Sequence, residues 1–116
     1  LGDVYKRQMQ RLEKNYYRIR EVAEILGIPV TTLRFWEKQF TIIKPRRTTS
    51  GQRLYTPADI DKVAMICYLV RDKGMRLDAA EEQLRSNPKG VERGSRALMR
   101  LRVVRAELAE MIKAIR

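Results

Sequence analysis

Between Thr31 and Tyr55 the chain gathers hydrogen-bond donors in two neighbouring groups. Thr31, Thr32, Arg34 and Lys38 share one short segment, and Arg46, Arg47, Ser50, Gln52, Arg53 and Tyr55 crowd the next. A guanidinium is planar, permanently charged, and donates in a fork that matches phosphate oxygens or the O6/N7 edge of guanine. Such a set suits the holding of a polyanion. The common routes of covalent catalysis are closed to it, because the chain has no histidine to serve as general base or proton shuttle. A single cysteine, Cys67, cannot form an intramolecular disulfide, and without histidine the usual zinc spacings cannot be written. No catalytic site, metal or cofactor is therefore expected.

The charge balance agrees with this chemistry. In 116 residues, 25 Lys and Arg stand against 14 Asp and Glu, a formal charge of +11. From Met9 to Pro57 ten bases face four acids, whereas from Ala58 onward thirteen face nine, so the surplus is densest around the donor groups. A basic balance of this kind admits DNA, RNA or an anionic membrane surface as partner. The length allows one domain with one appendage. No apolar run approaches the roughly 20 residues of a membrane span, and the N-terminus lacks a signal-peptide pattern, so a cytoplasmic location without membrane contact is expected.

The elements that must position the donors can be read from periodicity. Residues 1–15 form an N-terminal tail, of which Leu1 to Gln8 reads as a vector-derived or read-through extension ahead of Met9. A head follows over residues 16–86. Tyr16 to Ile19 is a β-prone lead into Val22, Ile25 and Leu26 at helical spacing, and Gly27 stops that helix. After Ile28-Pro29, helical periodicity resumes from Val30 to Phe40 through Leu33, Trp36 and Phe40. Two short helices joined around a glycine make a helix-turn-helix, whose second helix turns Thr31, Thr32, Arg34 and Lys38 outward. Trp36 and Phe40, with Tyr68 further on, read as core and not as stacking platforms for single strands.

Residues 42–55 break the helical rhythm with Pro45, Thr48, Thr49, Ser50 and Gly51, and predict a hairpin with a donor-rich tip. Thr56-Pro57-Ala58-Asp59 carries an N-cap, a first-turn proline and a first-turn acid, so a third helix starts there and runs to about Lys73, with Gly74 as its stop. Cys67 lies on its apolar face and reads as a core thiol. A shorter helix is expected from Asp78 to about Leu84, and Asn87-Pro88-Lys89-Gly90 then predicts a linker over residues 87–94.

From Ser95 to the end nothing breaks a helix. Ala97, Leu101, Val104, Leu108, Met111 and Ile115 recur at alternating steps of four and three, a seam of about three heptads. An isolated helix with a solvent-exposed apolar stripe is marginal in water, and its simplest partner is a second copy of itself. Residues 95–116 are thus expected to be a dimerisation helix through Leu101, Val104, Leu108, Met111 and Ile115. Glu107 and Glu110 interrupt its basic polar face, which argues against a membrane-surface helix.

Several runs together carry a resemblance. Tyr17-Arg18-Ile19-Arg20-Glu21-Val22-Ala23, Gly27, Thr32-Leu33-Arg34-Phe35-Trp36-Glu37, Pro45, Arg47, Ser50-Gly51-Gln52-Arg53-Leu54-Tyr55 and Asp59 resemble the MerR family of bacterial regulators from Tyr16 to about Arg85. The resemblance implies a mainly α fold, a winged helix-turn-helix followed by a C-terminal antiparallel coiled-coil dimerisation helix. It further implies a homodimeric transcription regulator on double-stranded DNA, with RNA polymerase at the promoter as a further partner. By the same resemblance Arg34 contacts DNA from the second helix, Arg53 and Tyr55 hold phosphate from the wing, and Arg18 supports the approach to the backbone. Phe35 stands where many members carry tyrosine, so their phosphate-directed hydroxyl is missing. Metal-sensing members place cysteines around the dimerisation helix and drug-sensing members append a further domain; this sequence has no cysteine there and stops at Arg116, so the resemblance does not support metal or drug sensing. Two other uses of such a head are a protein-interaction adaptor resembling chaperone modulators and an excisionase-like architectural protein.

Overall fold

The computed structural model describes residues 15–115, so the expectations for the N-terminal tail lie outside the described residues except at Asn15. A short strand, β1 (Tyr17–Arg18), leads into α1 (Ile19–Leu26) and α2 (Val30–Gln39). The wing follows as β2 (Arg46–Arg47) and β3 (Arg53–Tyr55), then α3 (Pro57–Cys67), whose last turn widens into a π-turn over Tyr68–Asp72. Helices α4 (Leu77–Ser86) and α5 (Pro88–Ile115) complete the chain. The fold is a winged helix-turn-helix with a long C-terminal helix, as the periodicity predicts.

The turn between α1 and α2 is fixed by backbone geometry. Gly27 takes the left-handed conformation, φ 66° and ψ 36°. Its N–H donates to the Glu24 carbonyl at 3.3 Å, and the Ile28 N–H reaches back to Ala23 at 3.0 Å. These are the two bonds of a Schellman motif, which satisfies carbonyls that the end of α1 would otherwise leave unpaired. Pro29 then enters α2, whose Leu33, Trp36 and following Phe40 are buried. The Trp36 and Phe40 rings meet edge to face at 6.5 Å. Both aromatics are core, as the sequence predicts, and Tyr68 is partly buried against the same cluster.

The wing is one strand richer than a hairpin. β3 is central, with β1 and β2 antiparallel on either side, so that Tyr17 faces Tyr55, Arg18 and Arg46 both face Leu54, and Arg47 faces Arg53. Tyr17 and Tyr55 are fully buried and stitch the sheet to the helices. The β-prone lead at residues 16–19 supplies the edge strand that the head needs to hold the wing in place.

Thr56 caps α3 as expected: the Asp59 N–H donates to Thr56 Oγ1 at 3.2 Å, and the Thr56 N–H donates to Asp59 Oδ2 at 2.9 Å. Cys67 is buried in the core, and burial pushes its thiol up to about 11. From the π-turn, Arg71 donates to the Leu26 carbonyl at 3.0 Å, which covers another open acceptor at the end of α1.

The linker expected over residues 87–94 is corrected: those residues are the start of α5. Asn87 alone separates α4 from α5, its carbonyl accepts from the Val91 N–H at 3.1 Å, and Pro88 occupies the first helical position. Turn-forming residues here are the start signal of a helix, since a proline at that position gives up no hydrogen bond the helix would have used. Val91 and Ser95 are buried against the head, so the first turns of α5 share its core. Among the described residues, no helix is long and apolar enough to cross a membrane.

Gly27 has open space around the position of a Cβ, so only its positive φ constrains the residue. Gly27→Ala should therefore destabilise the fold by about 1 kcal/mol, and Gly27→Asn by less, because asparagine tolerates the left-handed region. Urea denaturation reads this; an alanine loss no larger than the asparagine loss would show that another feature sets the turn.

Candidate nucleic-acid interface

Helix α2 turns one continuous stripe to solvent. Thr31, Arg34, Phe35, Lys38 and Gln39 are exposed at the i, i+3, i+4, i+7 and i+8 positions, while Thr32 is half-buried at the stripe's edge. Arg46 and Arg47 on β2 are exposed as well. Gly51, at φ 86°, closes a tight turn at the wing tip: its N–H donates to the Thr48 carbonyl at 2.9 Å. Gln52 donates its N–H to Thr48 Oγ1 at 3.1 Å, and the hydroxyls of Thr48 and Ser50 lie 2.8 Å apart. Ser50 is thus exposed but engaged with the loop's own backbone support.

Arg34 from the first donor group and Gln52 and Arg53 from the second meet at an open groove of about 800 Å³ between the start of α1, α2 and the wing, whereas Thr31, Thr32, Lys38, Arg46, Arg47, Ser50 and Tyr55 do not line it. Arg18, Arg20, Arg34, Gln52 and Arg53 line it. Among the described residues, the side chains of Arg18, Arg20 and Arg34 have no carboxylate partner, and the same holds for Lys38, Arg46 and Arg47. Arg20 is not among the donors expected from sequence, although it stands in the Tyr17–Ala23 run that carries the resemblance, two residues after Arg18 at the start of α1.

Glu37 holds this surface together. Arg53 Nε donates to Glu37 Oε2 at 2.6 Å, and the Tyr55 hydroxyl donates to Glu37 Oε1 in a short hydrogen bond. The Glu37 carboxylate is 9% exposed and the Arg53 side chain 22%. Alternation along β3 turns residues 53 and 55 to the same face, and α2 presents one acid to both. Burial, reinforced by the neighbouring carboxylate, pushes the Tyr55 phenol far above its ordinary range, so it stays protonated and donates. This corrects one expectation: Tyr55 is fully buried and committed to Glu37, so it cannot reach a phosphate and instead fixes the wing on α2. Arg53 keeps an exposed portion in the groove while its Nε is taken. The sequence signal for Glu37 was a lone acid in an otherwise basic helix.

With this geometry in view, comparison with known proteins is decisive. The profile of MerR HTH family regulatory proteins matches residues 17–87. The chain belongs to the MerR family. The HTH-type transcriptional regulator MlrA of Escherichia coli K12 is 35% identical over 80 residues, covering 69% of this chain and 32% of MlrA. The HTH-type transcriptional repressor CarH of Myxococcus xanthus is 34% identical over 76 residues, 66% of this chain and 25% of CarH. The HTH-type transcriptional regulator ZntR of Escherichia coli K12 is 35% identical over 68 residues, 59% of this chain and 48% of ZntR. The chain thus spans between a quarter and about half of the length of these curated relatives. The crystal structure of MtaN, the N-terminus of the Bacillus subtilis multidrug transporter activator, superposes with a TM-score of 0.54 at 28% identity, covering 85% of this chain and 93% of MtaN.

In this MerR-family head the match ends at residue 87, where α5 begins, so α5 contributes its own evidence. Its outer half leaves Leu101, Val104, Leu108, Met111 and Ile115 exposed at between 50% and 84%. Ile112, 55% exposed, lies beside this row and was not among the seam residues read from sequence.

If Glu37 clamps the wing, Glu37→Ala should destabilise the head by about 2–3 kcal/mol, since it strands a buried hydroxyl and a partly buried guanidinium. Glu37→Gln, which keeps an acceptor, should cost less. Chemical denaturation together with amide exchange of β3 reports both, and an alanine variant within 0.5 kcal/mol of wild type would remove the clamp.

Proposed function

We propose that the chain acts as a homodimeric transcription regulator that binds duplex DNA sequence-specifically, with α2 of each copy in successive major grooves and each wing on the flanking phosphates. The observation that carries this reading is the groove where unpaired Arg18, Arg20 and Arg34 meet Gln52 and Arg53, beside exposed Arg46 and Arg47. Glu21 lines the same groove, but the arginines outnumber it there, and a phosphate backbone relieves their mutual repulsion. Arg34 lies on the helix between Thr31 and Lys38 and is the group best suited to a guanine edge. Arg46, Arg47, Arg53 and Arg18 serve the backbone, with Ser50 and Gln52 as neutral donors at the wing tip. At a promoter such a dimer works beside RNA polymerase.

The second copy is favoured by the seam itself. Its steps from Ala97 to Ile115 run four, three, four, three, four, the same in either direction. An antiparallel copy centred near residue 106 would set Leu101 against Met111, and Val104 against Leu108, in each half. Ile112 would then widen the contact beside Leu98. Each large side chain so covered contributes roughly 1.5–3 kcal/mol before the cost of association.

Two measurements test the reading. Binding of random duplex should weaken with salt at a log-log slope of roughly −5 if about six phosphates are neutralised, and Arg34→Ala should lose roughly 10- to 100-fold on a selected site but little on random duplex. Absence of duplex binding in dilute buffer would end the proposal, and equal losses on both duplexes would end the base-reading role of Arg34. Sedimentation should show a dimer that Leu108→Asp converts to a folded monomer; a wild-type chain that stays monomeric at tens of micromolar would refute the seam.

A further inference from the structure

The ring of Phe35 is the one large apolar side chain of α2 that stands exposed outside the core. It is 47% exposed, in the middle of the outward stripe, with Thr31 one turn before it and Lys38 and Gln39 one turn after. Its neighbours in sequence divide the other roles: Arg34 lines the groove and Trp36 enters the core. Among the described residues, the other large apolar side chains with comparable exposure are Tyr16 and members of the α5 row. Phe35 is therefore an isolated ring among hydroxyl, amide and cationic groups, too small a patch to dock another protein, which needs several hundred Å² of contiguous apolar surface.

We propose that Phe35 is a base-reading residue that takes the 5-methyl group of a pyrimidine in the major groove. The inference rests on the duplex-binding reading above and adds a specificity contact to it. A phenyl ring has no hydrogen bond to offer a phosphate, so it gains nothing on the backbone. In the major groove the apolar group presented by the standard base edges is the C5 methyl of thymine, and phenylalanine is among the side chains that can pack on it. Successive helix residues diverge by about 100°, so Arg34 and Phe35 reach adjacent positions of the groove from one turn of α2. The site is thus a guanine with a methylated pyrimidine within one or two base pairs. Thymine and 5-methylcytosine carry the same methyl, and the contact would sense either.

The test uses the full chain and a duplex that it selects from a random-sequence library. Each thymine is replaced in turn by uracil, which deletes only the methyl, and each cytosine by 5-methylcytosine, which adds one. Wild type and Phe35→Ala are compared on every duplex. Wild type should lose roughly fourfold per deleted methyl at one symmetry-related pair of positions, the worth of one buried methyl-sized group, and Phe35→Ala should be indifferent to that change. A gain of similar size on a methylated cytosine, absent in Phe35→Ala, would identify 5-methylcytosine as the source. If no methyl matters to wild type, or if Phe35→Ala responds as wild type does, the inference fails while the duplex-binding reading stands. If no duplex is selected at all, both fall.

Discussion

A single carboxylate decides whether the basic surface has a shape. Glu37 accepts from Arg53 and Tyr55, so α2 and the central wing strand are joined at one nearly buried point. Two periodicities coincide there. Residues 53 and 55 share a face because a strand repeats every second residue, and Glu37 lies one turn beyond Leu33, on the side of α2 that meets the sheet. Removing a carboxylate from water is costly, and the cost is offset only because both of its oxygens are engaged. A wing hung from a short turn would sweep a wide arc. Clamped to α2 through β3, which pairs with β2, it carries Arg46 and Arg47 in a fixed relation to that helix, and the cost of ordering the wing is met in folding.

The rest of the charge is arranged around that point. Behind the groove, acids neutralise several of the arginines: Asp72 is paired with Arg71 and Arg102, Glu82 with Arg85, and Arg96 lies between Asp61 and Glu92. On the front, the one acid of α2 is spent on Arg53. Like charges gathered on one face in this way repel each other, a cost that the folded state carries.

The sequence revealed the elements more fully than their junctions. Apolar spacing located α1, α2 and the outer half of α5, and Gly27, Thr56 and Pro57 marked ends that the structure keeps, because glycine φ and N-cap chemistry act locally. Residues 87–94 misled for the same local reason: Asn-Pro-Lys-Gly carries turn chemistry and helix-start chemistry at once, and only the burial of Val91 and Ser95 against the head decides between them. Tyr55 misled differently. An aromatic hydroxyl next to arginines reads as a phosphate ligand, but its direction depends on which face of β3 it occupies, and that follows from pairing with Tyr17, thirty-eight positions away. Glu37 was visible as a residue and invisible as a clamp, since both of its partners come from another element.

The long helix is not an independent appendage to this arrangement. Arg102 on α5 donates to Asp72 at 2.6 Å. Arg71, next to Asp72 in the π-turn, reaches the Leu26 carbonyl at the end of α1, one residue before Gly27. Residues 71 and 72, adjacent in the π-turn, engage different elements, Arg71 the end of α1 and Asp72 the helix α5. A rotation of α5 about its axis would have to break the Arg102 pair or carry the π-turn with it. In the second case it would pull on the carbonyl that borders the helix-turn-helix turn. The exposed apolar row from Leu101 onward begins one position before Arg102, so the same short stretch of α5 carries both the start of that row and the tie to the π-turn.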